Sequence, residues 1–404
     1  MIYILAFIVL IGVIVFVHEL GHFWAARSVG VGVERFSVGM PPNFIDFTKT
    51  KNGLIIDIFF FSFKNKKLSW GKVYSKTLSS FRNPSETVYT IGLLPLGGYV
   101  KMKGILDESM DSEFKGADDE LESKTPLQKI WVMSAGVIMN LILTFFVFIL
   151  IGNIQGDTEL ENNNTVIDYV VPELAAETSY AIGLNEIMRS DIIGVLAGDK
   201  ILSINNIEVD SWETAVENIE NNPNNSVLIT IDRNGELISL TAKLGSRPNL
   251  STGRVDQEVG TLGVSKKQIP VELNFQESIV YGYNQTKWAM TLMTSSLKMI
   301  FQGNVSRDEV GSVIMIGDMA GQAAQAGLVP FLFLMALISV NLAYINILPI
   351  PGLDGGHIAL ILIEVLMGRK LSVKARIRIQ SFGMFILLTL MVFLILNDII
   401  RVFF

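Results

Sequence analysis

A chain of 404 residues that is half apolar, only 18% charged and of mean hydropathy +0.44 has too little polar surface for a wholly soluble protein, and spans in a bilayer are the usual reason. A net charge of −7 excludes the basic footprint of a nucleic-acid binder. The absence of cysteine excludes disulfides, thiolate metal ligands, iron–sulfur clusters and a cysteine nucleophile, and leaves His18, His22 and His357 as the whole of the imidazole chemistry.

The first element is the charge-free run Ile2–Val17. A helix needs about 20 residues to cross a hydrocarbon core of roughly 30 Å, so this run spans only if it continues through His18 and Glu19 to near Trp24. No Lys or Arg precedes it, which argues against a secretory signal peptide, and cleavage near Ala26 would discard the histidine pair. A polar region of residues 27–129 follows, and then a second apolar run, Ile130–Gly152. Beyond it, short β segments are expected at Thr165–Val171, Lys200–Ile204, Ser226–Asp232 and Leu237–Leu244, separated by Asn-Asn and Asn-Gly turns. Ser211–Ile219 suits a short helix capped by Asp210 or Ser211. Phe275–Phe301 reads as one or two amphipathic helices, lying on a membrane surface or packing on the preceding domain. Two further apolar runs, Leu328–Leu353 and Ile379–Asn397, complete four spans.

Charge sets the expected orientation. The short segment between the last two runs carries Arg369, Lys370, Lys374, Arg376 and Arg378 against Asp354 and Glu364. Residues 27–129 are also net basic, whereas 153–327 are strongly acidic. The positive-inside rule then places the two basic regions in the cytoplasm and the acidic one outside, with both termini outside.

The chemistry concentrates in His18-Glu19-Leu20-Gly21-His22. Residues i and i+4 of a helix share a face, so two imidazoles at this spacing can hold one Zn²⁺ at about 2.0–2.1 Å. The intervening Glu can serve as general base toward water, whose pKa zinc lowers from about 15.7 to near 7. A soluble helix can carry the same pattern as a polar surface patch. Here, however, it ends an apolar run, and three ionisable groups at membrane depth are costly unless paired, for which a cation is the obvious partner. Two histidines leave the metal one protein ligand short. Asp354, in Asn346-Ile347-Leu348-Pro349-Ile350-Pro351-Gly352-Leu353-Asp354-Gly355-Gly356, is a candidate, although a turn or helix-capping Asp would look the same. Pro349 and Pro351 break any helix, and irregular backbone at membrane depth is tolerated only against a cavity or protein. His357 reads as a packed or interfacial histidine in preference to a ligand.

These two motifs in this order closely resemble the site-2 proteases, peptidase family M50, which are intramembrane zinc metalloproteases. The nearer likeness is to the bacterial RseP/RasP branch, which cuts anti-sigma factors and remnant signal peptides. Gly136–Asn140 resembles that branch's Gly-x-x-x-Asn element, with Val137 where Pro is usual. Val33–Gly39 and Leu94–Met102 resemble its membrane-associated β region, although an ordinary buried strand fits Leu94–Met102 equally well, and Gly198–Asn206 resembles its PDZ domain. Gram-negative relatives carry two PDZ domains, whereas 153–327 shows one copy. The resemblance implies zinc on His18, His22 and Asp354, Glu19 activating water, and Asn346, Pro349, Pro351, Asn140, Gly97 and Gly98 at the bound substrate. It also implies a β region that takes an unwound substrate as an added strand. For residues 40–89, longer than the family pattern needs, two readings stay open: a lengthened re-entrant hairpin, or a segment on the membrane surface.

The expected fold is therefore a polytopic α-helical membrane protein with four transmembrane helices, a membrane-associated β region and one extracytoplasmic PDZ domain. Its parts are a first span over 1–26 with the histidine pair, a cytoplasmic-side region over 27–129 and a second span over 130–152. The PDZ domain follows over 153–270 and amphipathic surface helices over 271–327. A third span over 328–353, a cytoplasmic loop over 354–378 and a fourth span over 379–401 complete the chain. The expected function is zinc-dependent cleavage of single-span membrane proteins after an upstream site-1-type protease has trimmed them, in a bacterial inner (plasma) membrane. Membrane lipid is a partner, nucleic acid is not, and the active site faces the cytoplasmic side. The competing readings are a non-catalytic PDZ membrane adaptor, against which the costly intact polar cluster speaks, and a metal transporter.

Overall fold

Among the described residues, four helices are long and apolar enough to cross a membrane: α1 (Ile2–Ser28), α2 (Pro126–Gln155), α6 (Leu328–Ile347) and the 373–397 part of α8 (Val373–Phe403). The computed structural model describes residues 2–50, 53–64, 67–78, 87–104, 116–160, 164–170, 180–182, 188–249, 254–303 and 313–403. The chain divides into two compact units, Met1–Ile151 with Val305–Phe404, and Gly152–Asn304.

In the first unit, α1 is apolar around most of its circumference, as a lipid-facing helix should be. Ile4, Leu5, Val9 and Phe16 are exposed, while Leu10, Ile14, His18 and His22 are buried at helical spacing. Glycines set the close approaches. A β-carbon on Gly21 would lie 2.5 Å from the Ala135 carbonyl of α2, and Gly321 of α5 (Val313–Ala326) lets that helix close on the Tyr3 ring.

After α1 the chain makes a four-stranded sheet in the order β3-β2-β1-β4, from β1 (Val33–Thr50), β2 (Gly53–Lys64), β3 (Lys67–Leu78) and β4 (Val88–Met102). β1 and β4 are long antiparallel strands bent together. Ser37 faces Tyr99 before the bend and Phe47 faces Tyr89 after it, with register shifts between. The bend needs small residues: a β-carbon on Gly92 would sit 2.5 Å from the carbonyl of Gly39, itself at φ +91°. The described residues between 40 and 89 thus belong to this sheet. The segment 79–86 lies outside the described residues.

Asp354–Met367, expected as part of a loop, is helix α7, and α8 already begins at Val373, so only a short turn ending α7 at Gly368 (φ +65°) separates the two. The apolar pattern alone missed this because Asp354 and Glu364 interrupt the charge-free run without interrupting α7, and Lys374, Arg376 and Arg378 are charged but already within α8. The charges there form a network. The turn Leu121–Ser123 before α2 presents Glu122 to Arg376 at 2.9 Å, Lys129 at 2.9 Å and Lys370 at 2.9 Å, and Arg376 also bonds Glu364 of α7. Burial opposes the Glu122 carboxylate, but the hydrogen bonds from Arg376, Lys129 and Lys370 override it and lower its pKa from 4.5 to about 2. A carboxyl whose folded pKa is depressed stabilises above its unfolded value and loses that contribution as pH falls. Glu122→Gln is therefore expected to cost about 3 kcal/mol at neutral pH. The difference from wild type, read by thermal unfolding in detergent, closes as pH drops from 4.5 toward about 2.

The second unit is built on a six-stranded sheet of order β10-β9-β11-β12-β7-β8. Its strands are β7 (Tyr180–Ile182), β8 (Met188–Ile193), β9 (Lys200–Ile204), β10 (Ile207–Glu208), β11 (Ser226–Arg233) and β12 (Glu236–Lys243). Helix α3 (Trp212–Glu220) is capped by Ser211, not Asp210, and covers a core of Ile201, Ile204, Ile229, Ile231 and Leu240 with Trp212, Ala215 and Ile219. Asp199 is buried and held by Arg233 at 2.8 Å. The expected strand Thr165–Val171 is reduced to Tyr169–Val170 and a bridge at Val166, with 171 outside the described residues. Phe275–Gln302 is a single helix, α4, started by an Asn274–Glu277 capping box and ended by Gly303 in the left-handed region. It packs on Arg254–Thr261 of the same unit, whereas α5 packs on α1 in the first. The stretch 271–327, expected as one set of surface helices, is thus divided between the units.

Candidate metal centre

His18 and His22 lie one turn apart on the buried face of α1, and their Nε2 atoms are 3.2 Å apart. The third group arrives from far along the chain. Leu348 turns extended before Pro349, as residues before proline do, and ends α6 at Ile347. The segment then folds back on itself so closely that β-carbons on Gly355 or Gly356 would collide with the carbonyls of Ile347, Leu348 and Ile350. Asp354 therefore opens α7 directly beneath α1, with Oδ2 3.2 Å from His18 Nε2 and 3.3 Å from His22 Nε2.

The outer nitrogens of the rings decide what this triangle is. His22 Nδ1–H donates to the Val132 carbonyl at 2.8 Å, which leaves a lone pair on Nε2. The Asn140 amide lies 3.2 Å from His18 Nδ1, and its Oδ1 is buried without a hydrogen-bond partner. Turned with Oδ1 to the ring, the amide accepts the Nδ1 proton and His18 too presents a lone pair. Asp354 Oδ2 is likewise buried without a hydrogen bond of acceptable geometry, despite its two close nitrogens. Three lone pairs thus converge with no proton to share, an arrangement that a cation satisfies. A tetrahedral ion with bonds of 2.0–2.1 Å needs ligands about 3.3 Å apart, and the triangle has that size.

Room for these rings comes from α2. A β-carbon on Gly136 would lie 2.5 Å from His22 Nε2 and 2.7 Å from His18 Nε2. One turn on, Asn140 meets His18, and its own carbonyl accepts from Thr144 at 3.0 Å and from Ser339 of α6 at 2.9 Å. The Gly-x-x-x-Asn spacing is thus one helix turn that first makes space and then supplies a polar partner. Asn140, which the resemblance places at the bound substrate, is fully buried with its amide against His18 Nδ1.

Glu19, half-buried, follows His18 and sits against β4, where a β-carbon on Gly98 would lie 3.2 Å from Glu19 Cγ. Gly97 is at φ +150° against Met40, farther along the same strand. The Asn346 amide lies 3.2 Å from His18 Nε2, at the open side of the triangle. Pro349 is exposed, and Pro351 packs against Gly383 of α8. His357 does not join the cluster. Its ring is held by the Gln380 amide at 3.0 Å and lines a cavity of ≈ 60 Å³ with Glu122, Lys129, Glu364 and Arg376.

Asn140→Leu, of similar volume, is expected to keep the fold and lower metal affinity roughly 10–100-fold, as loss of a ligand's outer hydrogen bond does. Competition with a chelator of known affinity measures it.

The family model for peptidase family M50 matches residues 6–63 and 59–390. A protein of Campylobacter jejuni named "putative zinc metalloprotease" is 33% identical over 98% of this chain and 93% of its own length. One of Clostridium perfringens with the same descriptive name is 31% identical over 98% of both chains. The "Protease RseP" of Yersinia pestis is 27% identical, again over 98% of each. With a family model across nearly its whole length, full-length relatives above 30% identity and a preformed three-donor triangle between apolar helices, the chain belongs to peptidase family M50, the site-2 proteases.

Proposed function

We propose that this protein is an intramembrane zinc endopeptidase that hydrolyses single-span membrane proteins within the bilayer. The observation that carries the reading is the lone-pair triangle of His18, His22 and Asp354, with Glu19 beside it, at the junction of helices long enough to span.

His18 Nε2, His22 Nε2 and Asp354 Oδ2 would hold the ion, with Glu19 following His18 in sequence and the Asn346 amide 3.2 Å from His18 Nε2. Bound zinc supplies a Lewis acid that polarises a carbonyl and acidifies water. Glu19 takes the proton of the attacking water as the new C–O bond forms, and delivers it to the amide nitrogen as the C–N bond breaks. Asn140 and the Val132 carbonyl hold the two imidazoles in the tautomer that ligates. Asn346 and the broken stretch with Pro349 and Pro351 line the approach to the ion. A helical substrate must unwind before its backbone can be attacked, and β4, an edge strand of the sheet, offers backbone groups to the extended form. Gly98 brings that strand within reach of Glu19 because it has no side chain.

The second unit serves as a PDZ domain outside the membrane that excludes intact substrates and admits those already trimmed by a site-1-type protease. Anti-sigma factors and remnant signal peptides are the substrate types that suit a single-span cut of this kind. The site faces the cytoplasmic side of a bacterial plasma membrane.

The test is zinc content and cleavage measured on one preparation. Wild type is expected to carry about one zinc ion per chain and to cut a single-span substrate of remnant signal-peptide type. Asp354→Ala is expected to lose both. A folded wild type that binds no zinc overturns the reading.

A further inference from the structure

A serine or threonine hydroxyl inside a helix commonly satisfies itself by donating to the carbonyl one turn back on its own helix. Ser295, Ser296 and Thr389 of this chain do so. Ser339 of α6 does not. It is fully buried and donates at 2.9 Å to the carbonyl of Asn140 on α2. Thr144, one turn beyond Asn140 and equally buried, donates to that same carbonyl at 3.0 Å and reaches across to the carbonyl of Ala336 on α6 at 3.2 Å. The two helices are thus cross-bonded at two points, one turn apart on each. Ala336 and Ala343, both buried, are small enough to bring the backbones this close.

Two such bonds do more than one. A single bond lets a helix pivot, whereas a pair in register fixes both its rotation and its height. A slip of one residue would turn α6 by about 100° and move it by about 1.5 Å, and so part Ser339 from the Asn140 carbonyl. What that register controls lies two turns on. Asn346, seven residues after Ser339, shares its face of α6, and its amide stands 3.2 Å from His18 Nε2. The helix ends one residue later, at Ile347, so Asn346 takes its direction from the turns behind it. Asn140 is then a node of three helices: its side-chain amide meets His18 of α1, and its backbone carbonyl holds Ser339 of α6.

We propose that Thr144 and Ser339 form a two-hydroxyl clamp that sets the rotation of α6 and so positions the Asn346 amide beside the metal donors for peptide-bond cleavage. Both are positioning residues, which act through Asn346. Their effect falls on rate and not on metal content, because a bound ion would itself tie Asp354 to α1, whereas Asn346 is carried by α6. The proposal deepens the endopeptidase reading and rests on it.

The test is a double-mutant cycle on the full-length protein, with cleavage of a single-span substrate, zinc content and thermal unfolding read on each sample. Thr144→Val, which keeps the side chain's shape, and Ser339→Ala are each expected to lower kcat roughly 10- to 100-fold with KM nearly unchanged and zinc retained, as a misplacement of about 1 Å does. Thr144→Ser keeps the hydroxyl and should turn over as wild type does. In an Asn346→Ala background the same two substitutions should cost little more, because the group they position is gone. Thr389→Val on α8 removes a hydroxyl that bonds its own helix and should change nothing.

The absence of cysteine allows an independent reading of the register. Spin labels at Phe146→Cys on α2 and Ile345→Cys on α6, both exposed positions, should give one distance, which broadens or shifts by about 1.5 Å or more when Thr144→Val and Ser339→Ala are combined. An unchanged distance, undiminished turnover, loss of zinc from the combined variant, or losses that simply add to that of Asn346→Ala each overturn the clamp. A zinc-loaded wild type that cuts nothing overturns the endopeptidase reading and the role of the clamp together.

Discussion

Glu19→Gln is expected to abolish peptide-bond cleavage while leaving zinc bound. The substitution keeps the size and hydrogen-bonding shape of the side chain but removes the group that accepts a proton. His18, His22 and Asp354 converge without help from Glu19, so the donor triangle survives. A positioned general base contributes about 10²–10⁴-fold to rate, and turnover should fall by at least that factor. Zinc analysis and cleavage on the same sample check both halves. A Glu19→Gln protein that still turns over would remove the base assignment, and one that loses its metal would make Glu19 part of the metal site. Because Gly98 of β4 lies against Glu19, a bulkier residue at 98 should push the carboxylate aside and reproduce part of the defect.

Gly136→Ala is expected to cost more than about 100-fold in zinc affinity from a single added methyl group. Its new carbon would stand 2.5 Å from His22 Nε2, 2.6 Å from His18 Cε1 and 2.7 Å from His18 Nε2, distances that no real side chain keeps. The rings cannot yield cheaply, since each is pinned from behind, by the Val132 carbonyl or by Asn140. The two helices must part or the imidazoles must turn, and either breaks the triangle. Ala is better than Gly in a helix interior by about 1 kcal/mol, so the loss does not come from a weakened helix. Gly12→Ala on α1, where nothing lies within 4 Å of the added carbon, is the matched control and should bind zinc as wild type does. A chelator titration of both variants, with thermal unfolding alongside, separates the metal defect from misfolding.

The histidine pair of the candidate metal site was legible because it carries a strong local signal. The histidine pair states its own geometry through the i, i+4 spacing. The run Leu348–Gly356 announces broken backbone through Pro349, Pro351 and its glycines. Three of the four apolar runs likewise state helices long enough to span, since length and hydrophobicity are properties of a continuous segment, and the first does so only by continuing through His18 and Glu19. The strands β9, β11 and β12 were readable for the same reason, and the cap of α3 to within Asp210 or Ser211. Asp354 marks the limit. Its spacing alone fitted a capping residue as well as a ligand, and only the fold-back against Ile347 and Ile350 brings its carboxylate to the histidines.

Sequence by itself determined the chemistry available to this protein: two imidazoles at the spacing of a metal pair, a glutamate beside them, and helices that suit a bilayer. These are encoded by spacing within a single element or by composition, and no other part of the chain is needed to express them. Tertiary structure alone decided three things. Asn140 lies with its amide 3.2 Å from His18 Nδ1, Gly136 is the space in which the histidines stand, and Gly53–Lys64 and Lys67–Leu78 join the sheet as two further strands. The first two depend on which distant segment arrives at a given face, set by close packing across more than a hundred residues of intervening chain, and the third on strand pairing with neighbouring segments.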